Sequence, residues 1–563
     1  MMQIVAAAVA AFALVPGPPA AVPGPPVPGP PSGQVQIHFT PGQALRYGSA
    51  ASAGLVPQDI DRIADDIALY TQPSPTYPEY PGAVALAAHD GVIVAHDTTG
   101  YALKYADDKP TELPPDQWIP MRRDTMFDIA SMTKLFTSLA AVQLIERGSL
   151  GLDTPVAAYI PQFAANGKGG ITIRNLLTHT SGLPADPSPS LCDYATNDER
   201  WAAVYAVKPT AAPDTTYLYS DMNMMTLGKV IETITGRPLD QVVRQRITGP
   251  LGLRDTMFNP PASLRPRIAA EEYQPWTGRA IVWGTVHDEN AYCVGGVSGH
   301  AGIFSTAHDL AILAQTLLDG GSYGHARILS PQSTRLLFTD YNQAFPGDAH
   351  GLGFELDQHF YMDALSSPVT AGHTGYTGTD IVIDPLSHSF VILLANRVHP
   401  SRNWGSDNPA RRAVARDLAL AIPVRPRSGP ADYFSGTADA TSATLGVPLS
   451  VPAAGARLSF DLWYDTEESD VGYLEASPDG GASWQVLESF SGFEGRRWLR
   501  ESAVVPDGTT DLRWRYTTDA LYEGRGVYVD GIRVTGPHGP LFDDRRPADA
   551  ARIQLSGWQV SRV

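Results

Sequence analysis

The chain has 563 residues, 43% of them hydrophobic and 18% charged, with a formal net charge of −18. It is therefore globular and able to bury large cores, and with no Lys/Arg run it lacks the basic face that nucleic-acid binding needs. Its two cysteines, Cys192 and Cys293, exclude a disulfide framework and leave one bridge or none; a bridge would suit an oxidising compartment.

Residues 4–15 form an apolar run too short to span a bilayer as a helix. It has the character of a secretory signal, with small residues at Ala20 and Ala21, although Met1-Met2-Gln3 lacks the usual basic start. Export is the expectation, and no other stretch reads as a transmembrane anchor. Residues 16–32, dominated by Pro and Gly, read as a semi-rigid linker. Ile60, Ile63, Ile67 and Leu69 predict a one-faced helix over 57–70. Residues 83–98 predict two strands around an Asp90-Gly91 turn.

The stretch Phe127 to Phe136 carries the chemistry. Apolar residues Leu139, Val142, Leu144 and Ile145 recur at helical spacing until Gly148 stops them. Ser131 falls in the first turn, and Lys134 lies one turn on along the same face. A hydroxyl beside free backbone N–H groups, with an amine three residues away, is a nucleophile awaiting a base. Ser-x-x-Lys arises about once or twice by chance in a chain this long, so its partners must decide.

Residues 171–184 predict a short helix and a Gly-Pro turn, in which His179 and Ser181 read as turn hydrogen-bonders. Tyr217-Leu218-Tyr219-Ser220-Asp221 precedes a helix ending at Gly236. Residues 239–258 continue as a helix and a turn, and 305–318 as an N-capped helix. Two strands are expected at 373–383 and 389–396, and a helix at 408–421 with Pro409 in its first turn. The fold class expected is α+β: a mostly antiparallel sheet flanked by helices, with a helical region inserted between early and late strands.

Beyond the linker at 424–432 the period changes to short strands at 458–464, 471–476 and 526–534, which predicts an all-β sandwich. The expected organisation is a signal-like segment and linker at 1–32, a catalytic domain at 33–423, the linker at 424–432 and the sandwich at 433–563.

Ser131-x-x-Lys134, Tyr219-Ser220-Asp221 and His373-Thr374-Gly375 occur in the order of the three signatures of penicillin-recognising serine enzymes. Over roughly 50–422 the chain resembles the β-lactamase-related serine hydrolases, in particular the branch of class C β-lactamases, D,D-peptidases and esterases. Leu176 to Pro184, Pro250-Leu251-Gly252-Leu253 and Gly295 to Gly302, the last expected to line the cleft, look like that family too. The resemblance implies a serine β-lactamase or penicillin-binding type fold and an acyl-enzyme on Ser131. It gives Tyr219 as base, its phenol lowered by Lys134, and Tyr217 as the neighbouring alternative. It gives the backbone N–H groups of Ser131 and Tyr376 as oxyanion donors, and Asp221, His373, Thr374 and Gly375 as substrate-contacting residues.

Asp221 replaces the family's commoner Asn and is expected to bond Lys134. Gly375 is expected to admit a substrate backbone close to its strand. His373 stands where β-lactamases carry Lys, which points toward esterase, D-aminopeptidase and muropeptide-processing relatives. His287, Cys293, His300 and His373 match no compact zinc spacing, so no catalytic metal or cofactor is expected. The C-terminal part resembles the jelly-roll modules of secreted bacterial enzymes through Trp463 to Glu467, Ser477 to Trp484 and Val529-Asp530. It implies a glycan or surface contact, with Glu467 and Asp530 as candidate structural calcium ligands against the plainer reading of solvated turn acids, and Trp463 and Trp484 as sandwich core.

The function expected is that of a secreted serine hydrolase acting on an amide or ester. The expected substrate is a cell-wall peptide or muropeptide cleaved in the manner of a D,D-peptidase or amidase, then a small ester, then a β-lactam. The rival from another class is a catalytically idle glycan- or surface-binding protein.

Overall fold

Strands that read as unbroken apolar runs need both faces covered, and the central sheet has that arrangement. The structure, a computed structural model, describes residues 35–40, 42–450 and 452–563. The apolar run at 4–15 and the Pro/Gly stretch at 16–32, on which the export reading draws, lie outside the described residues.

Five strands form the body of an eight-stranded sheet: β1 (Gly82–His89), β2 (Val92–Leu103), β3 (Ala371–Gly375), β4 (Thr379–Asp384) and β5 (Ser389–Ala395). They lie in the order β2-β1-β5-β4-β3 with antiparallel pairing throughout. Early and late parts of the chain thus meet where β1 pairs with β5, Leu86 opposite Ile392. Alternation sends Ile381, Ile383, Ile392 and Leu394 to one core and Val382, Val391 and Leu393 to the other. Helices α1 (Pro57–Leu69) and α6 (Asn408–Ala421) cover the second face through Ile60, Ile63, Val414 and Leu418.

The first face is covered by α2 (Thr133–Glu146) and α5 (Ala307–Leu318), α5 capped by Thr306. Between β2 and β3 the chain makes its mostly helical excursion, which includes α3 (Asp221–Thr235) and α4 (Glu289–Cys293). One expectation needs correction. Residues 373–383 are two strands, because Gly378, at φ +115, turns the chain back after β3 and pairs His373 with Ile381. Residues 239–251 form the expected helix, widened to a π turn at Arg244–Thr248 and closed by Gly252 at φ +72.

After α6 the strands are those of two further antiparallel sheets. One is built around Ala456–Asp465 and Gly526–Gly536, the other around Val471–Ser477 and Asp511–Thr517. A shared core of Leu445, Leu458, Phe460, Leu474, Val529 and Trp514 lies between them, with Phe460 and Trp514 edge to face at 5.1 Å. Trp463 lies instead in a satellite cluster with Val424 and Tyr528, and the half-buried Trp484 is stacked under Arg513 at 3.9 Å. The calcium pair also needs correction. Asp530 sits opposite Asp461 and its carboxylate accepts from Ser428 N and Oγ. Glu467 lies two residues past Asp465, where the strand carrying Asp461 ends, beside Asp470 and Asp519; Asp461 to Asp465 alone spans about 13 Å at ~3.3 Å per residue. They share no ion.

Arg496 clamps the β-rich part to the central sheet. Its side chain, 7% exposed, meets Asp384 Oδ2 at the end of β4 and Asp465 Oδ2, both at 2.6 Å. It also donates to the carbonyls of Leu365 (3.1 Å) and Ser366 (2.8 Å). Arg416 of α6 makes a second clamp, to Asp363 (2.7 Å) and Glu523 (2.9 Å). Removing one partner of a buried ion cluster leaves the others desolvated and unpaired. Arg496→Ala should therefore cost about 3–5 kcal/mol in urea unfolding; a loss below about 1 kcal/mol would show the clamp to be slack.

Candidate active site

Ser131 stands where a short β ladder turns into α2. Phe127 and Asp128 pair with Ser305 and Phe304, and Ala130 then takes φ +44, a left-handed conformation that is strained for alanine. Asp128, fully buried, stabilises that turn: Oδ1 accepts from Ala130 N (2.9 Å) and Oδ2 from His287 N (2.6 Å). Ser131 is thereby lifted to the cleft while Lys134 enters the core.

Lys134 has no exposed surface. Its Nζ lies 2.8 Å from Ser131 Oγ, 2.7 Å from Asp221 Oδ1 and 3.3 Å from the His300 carbonyl, and 4.8 Å from the Tyr219 ring centroid. Three acceptors and a ring face are what a desolvated ammonium requires. Tyr219 interacts with Ser131 through its hydroxyl. A hydroxyl, an amine and a phenol from distant parts of the chain do meet in one pocket. Asp221 bonds Lys134 as expected.

The expected lowering of the phenol does not occur. Burial, then the Asp221 carboxylate, push Tyr219 well above its ordinary value, and the Ser131 hydrogen bond only partly offsets them. The charge meant to lower it is matched at 2.7 Å by Asp221. Tyr217 is the less apt base, since its ring packs on His179 and His350 at 6.2 Å from each.

On one flank of Tyr219 the histidines are neutral. His373, with its ring 5.9 Å away, is 1% exposed, gives Nδ1 to the Thr374 carbonyl (2.7 Å) and is lowered to about 3 by burial and Lys134. His179, 4.7 Å from Tyr219, is held well below its ordinary value by burial and accepts at Nδ1 from Ser220 N. Ser181 bonds Asn223 (2.5 Å) and Leu183 N (3.0 Å), so both act as turn hydrogen-bonders, as read from sequence.

The other flank is charged. Burial opposes ionisation there, yet Asp288 and Asp221 raise His300, whose Nε2 lies 2.9 Å from Asp288. Asp221, Asp288 and His300 bring ligand atoms within 4.8 Å of one another, but Lys134 Nζ already meets Asp221 Oδ1 at 2.7 Å and His300 Nε2 meets Asp288 Oδ1 at 2.9 Å. Of the other residues weighed as metal ligands, Cys293 is bridged to Cys192 and His287 is paired with Glu272 (3.0 Å).

Gly375 serves a different purpose from the one expected. A Cβ there would meet Thr379 Oγ1 at 2.1 Å and the Ile129 carbonyl at 2.6 Å, so it is this chain's own nucleophile turn that approaches β3. Thr377 Oγ1 donates to the Asp128 carbonyl (2.7 Å), and Arg411 Nη2 to the carbonyls of Gly375 (2.8 Å) and Thr379 (3.0 Å). These bonds hold the β3–β4 turn, which carries Tyr376, against the Asp128–Ile129 backbone that leads into Ser131. Asp128, Arg411 and the half-buried Glu355, which desolvation of its carboxyl pushes to about 7, escape sequence reading because they belong to no motif.

A profile of the family described as Beta-lactamase matches residues 73–416, more than half of the chain. The chain belongs to the β-lactamase family. Like that family it is a serine hydrolase, and its α+β fold is of the β-lactamase and penicillin-binding type. An Escherichia coli K12 protein named "Putative D-alanyl-D-alanine carboxypeptidase" is 36% identical over 351 residues, 57% of this chain and 79% of that protein. Among solved structures, a penicillin-binding protein homologue from Caulobacter crescentus aligns with TM-score 0.51 at 21% identity, over 65% of this chain and 99% of that one. EstCE1, a hydrolase with promiscuous acyltransferase activity, aligns with TM-score 0.50 at 22% identity, over 66% and 99%.

Two outcomes follow for this β-lactamase-family site. Gly375→Ala should retain the fold yet lower ester kcat by at least about 100-fold, since displacing the Ile129 carbonyl moves the oxyanion side by roughly 1 Å; an unimpaired variant would contradict the packing argument. His373 binds its proton near 3 when folded and near 6.5 when unfolded, so the unfolded state takes up more protons between those values. Its contribution is complete above 6.5 and is lost as pH falls toward 3. His373→Gln should flatten the fall in unfolding free energy between pH 6 and 4 by about 1.4 kcal/mol per pH unit, measured by chemical denaturation; an unchanged slope would refute a neutral buried imidazole.

Proposed function

We propose that this protein is an exported D,D-peptidase-type enzyme that cleaves an amide of a cell-wall peptide through an acyl-enzyme on Ser131. The observation that carries the proposal is the contact of Ser131 Oγ with Lys134 Nζ at 2.8 Å beneath the Tyr219 phenol. The relatives named for D-alanyl-D-alanine carboxypeptidase activity and penicillin binding support the substrate class.

Because the phenol is held neutral, Tyr219 acts as a two-way relay and not as a preformed tyrosinate. Ser131 Oγ attacks the carbonyl carbon while its proton passes to the Tyr219 oxygen; Tyr219 in turn gives its own proton to the leaving amine nitrogen as the C–N bond breaks. Water then repeats the exchange in reverse: its proton goes to Tyr219, that of Tyr219 returns to Ser131, and the acid product leaves. Lys134, 2.7 Å from Asp221 and 2.8 Å from Ser131 Oγ, stabilises negative charge developing on that oxygen. The N–H groups of Ser131 and Tyr376 receive the oxyanion.

Export is supported by the Cys192–Cys293 bridge, which persists in oxidising compartments, and by the apolar run at 4–15. No helix among the described residues is long and apolar enough to cross a membrane. In this proposal the β-rich part after Asp432 supplies surface or glycan contact, since Ser131, Lys134, Tyr219 and Tyr376 all precede it.

A small-ester hydrolase is the second reading. It is favoured by the neutral His373, which offers no cation to a substrate carboxylate at the strand beside Ser131. Release of D-alanine from a pentapeptide ending in D-Ala-D-Ala, compared with p-nitrophenyl ester turnover, separates the two. Ser131→Ala should lower either turnover by at least about 1,000-fold and abolish the penicilloyl or fluorophosphonate adduct seen by mass spectrometry. An adduct elsewhere, or retained turnover, would overturn the assignment. Tyr219→Phe should cost about 100–10,000-fold in kcat.

A further inference from the structure

Three aromatic rings stand open in the segments around α4 and the β3–β4 turn: Tyr376 is 47% exposed, Trp276 59% and Tyr292 39%. Arg402 links two of them, its guanidinium 5.7 Å from the Tyr376 ring centroid and 5.3 Å from that of Trp276. Arg279 stacks on Tyr292 at 3.9 Å.

The rim is held rigidly. Trp276 Nε1 donates to Glu289 Oε1 (3.2 Å), and Arg402 Nη2 bridges Glu289 (2.6 Å) and the buried Glu272 (2.5 Å). Glu289 begins α4, and Cys293 at the end of α4 is bridged to Cys192. Tyr376 packs on His287 at 5.8 Å, whose N–H is held by Asp128, the same carboxylate that sets the Ser131 turn. Rings and nucleophile therefore share one frame.

Rings left open forgo the stabilisation of burial, roughly 25 cal/mol per Å², and here they are also fixed in orientation. None of the exposed large aliphatic side chains among the described residues falls in the segments that build the rim, 272–293, 376 and 397–402. Instead each ring is bordered by guanidinium or carboxylate groups. Such a border suits a ligand with apolar C–H faces and hydroxyl or amide edges, and leaves an alkyl chain facing charge.

We propose that Tyr376, Trp276 and Tyr292 form a saccharide subsite, which holds the sugar end of a muropeptide while its peptide reaches Ser131. This rests on the peptidase reading above and narrows its substrate to glycan-bearing peptides.

The test compares a free pentapeptide with the same peptide on an N-acetylglucosaminyl-N-acetylmuramic acid disaccharide. Wild type should show at least about tenfold higher kcat/KM for the glycan-bearing peptide, expressed in KM. Trp276→Ala should bring that ratio near one, and Trp276→Phe should restore part of it. Calorimetry of the disaccharide alone on the Ser131→Ala protein should show a saturable component that Trp276→Ala removes, whatever the β-rich part adds. Equal use of both peptides with no disaccharide binding overturns the subsite, as does a preference transferred to aromatic acyl esters. Disaccharide binding that depends on Trp276, with neither peptide cleaved, upholds the subsite and refutes the peptidase reading instead.

Discussion

The site depends on a buried amine. An ammonium in the interior costs several kcal/mol unless it is paired and hydrogen-bonded, and Lys134 is tolerable because Asp221, Ser131 and the His300 carbonyl meet it. Each of those partners comes from a different part of the chain: α3, the turn before α2, and the glycine-rich stretch ahead of α5. One desolvated charge thus sets the register in which three segments converge. The family's usual Asn would complete the hydrogen bonds at this position; Asp221 completes the charge as well. The consequence reaches the phenol, since a lysine charge already matched by a carboxylate at 2.7 Å does not draw the Tyr219 proton down.

Around that amine the electrostatics are lopsided. Neutral His179 and His373 stand on one side of Tyr219, while the His300–Asp288 ion pair stands on the other. A substrate entering between them meets a soft, polarisable wall and a charged one. This asymmetry places the third-motif strand on the uncharged side. The departure from Lys to His at position 373 is therefore part of a wall and not an isolated replacement.

Much of this was legible in the sequence because its signals are local. The periodicity of Leu139 to Ile145 marks α2, Asp90-Gly91 marks the hairpin, Pro409 marks the start of α6, and three short motifs name the converging side chains. What was not legible is long-range. Whether Cys192 reaches Cys293 depends on how the loops before and after α3 fold back, and the strain at Ala130 needs Asp128 and His287 to explain it. Gly375 could be recognised as a close-approach glycine, but not that the approaching atom is the Ile129 carbonyl. The Glu467–Asp530 pairing failed because strand register fixes a separation that composition does not reveal. The phenol's direction failed for a related reason: neighbouring charges in a sequence do not say which has already been neutralised.

The Arg496 clamp bears on how the enzyme can be dissected. Asp384 ends the strand that runs beside β3, and Asp363 anchors the helix α6 whose Arg411 holds the β3–β4 turn. Cutting the chain near residue 430 would strip the arginine from Asp384 and the Glu523 partner from Arg416, exposing two former interior surfaces at once. A shortened enzyme made for assays or crystals would need replacements at those carboxylates before its catalytic half could be judged alone. The β-rich half is thus a structural partner of the sheet and not a detachable tail.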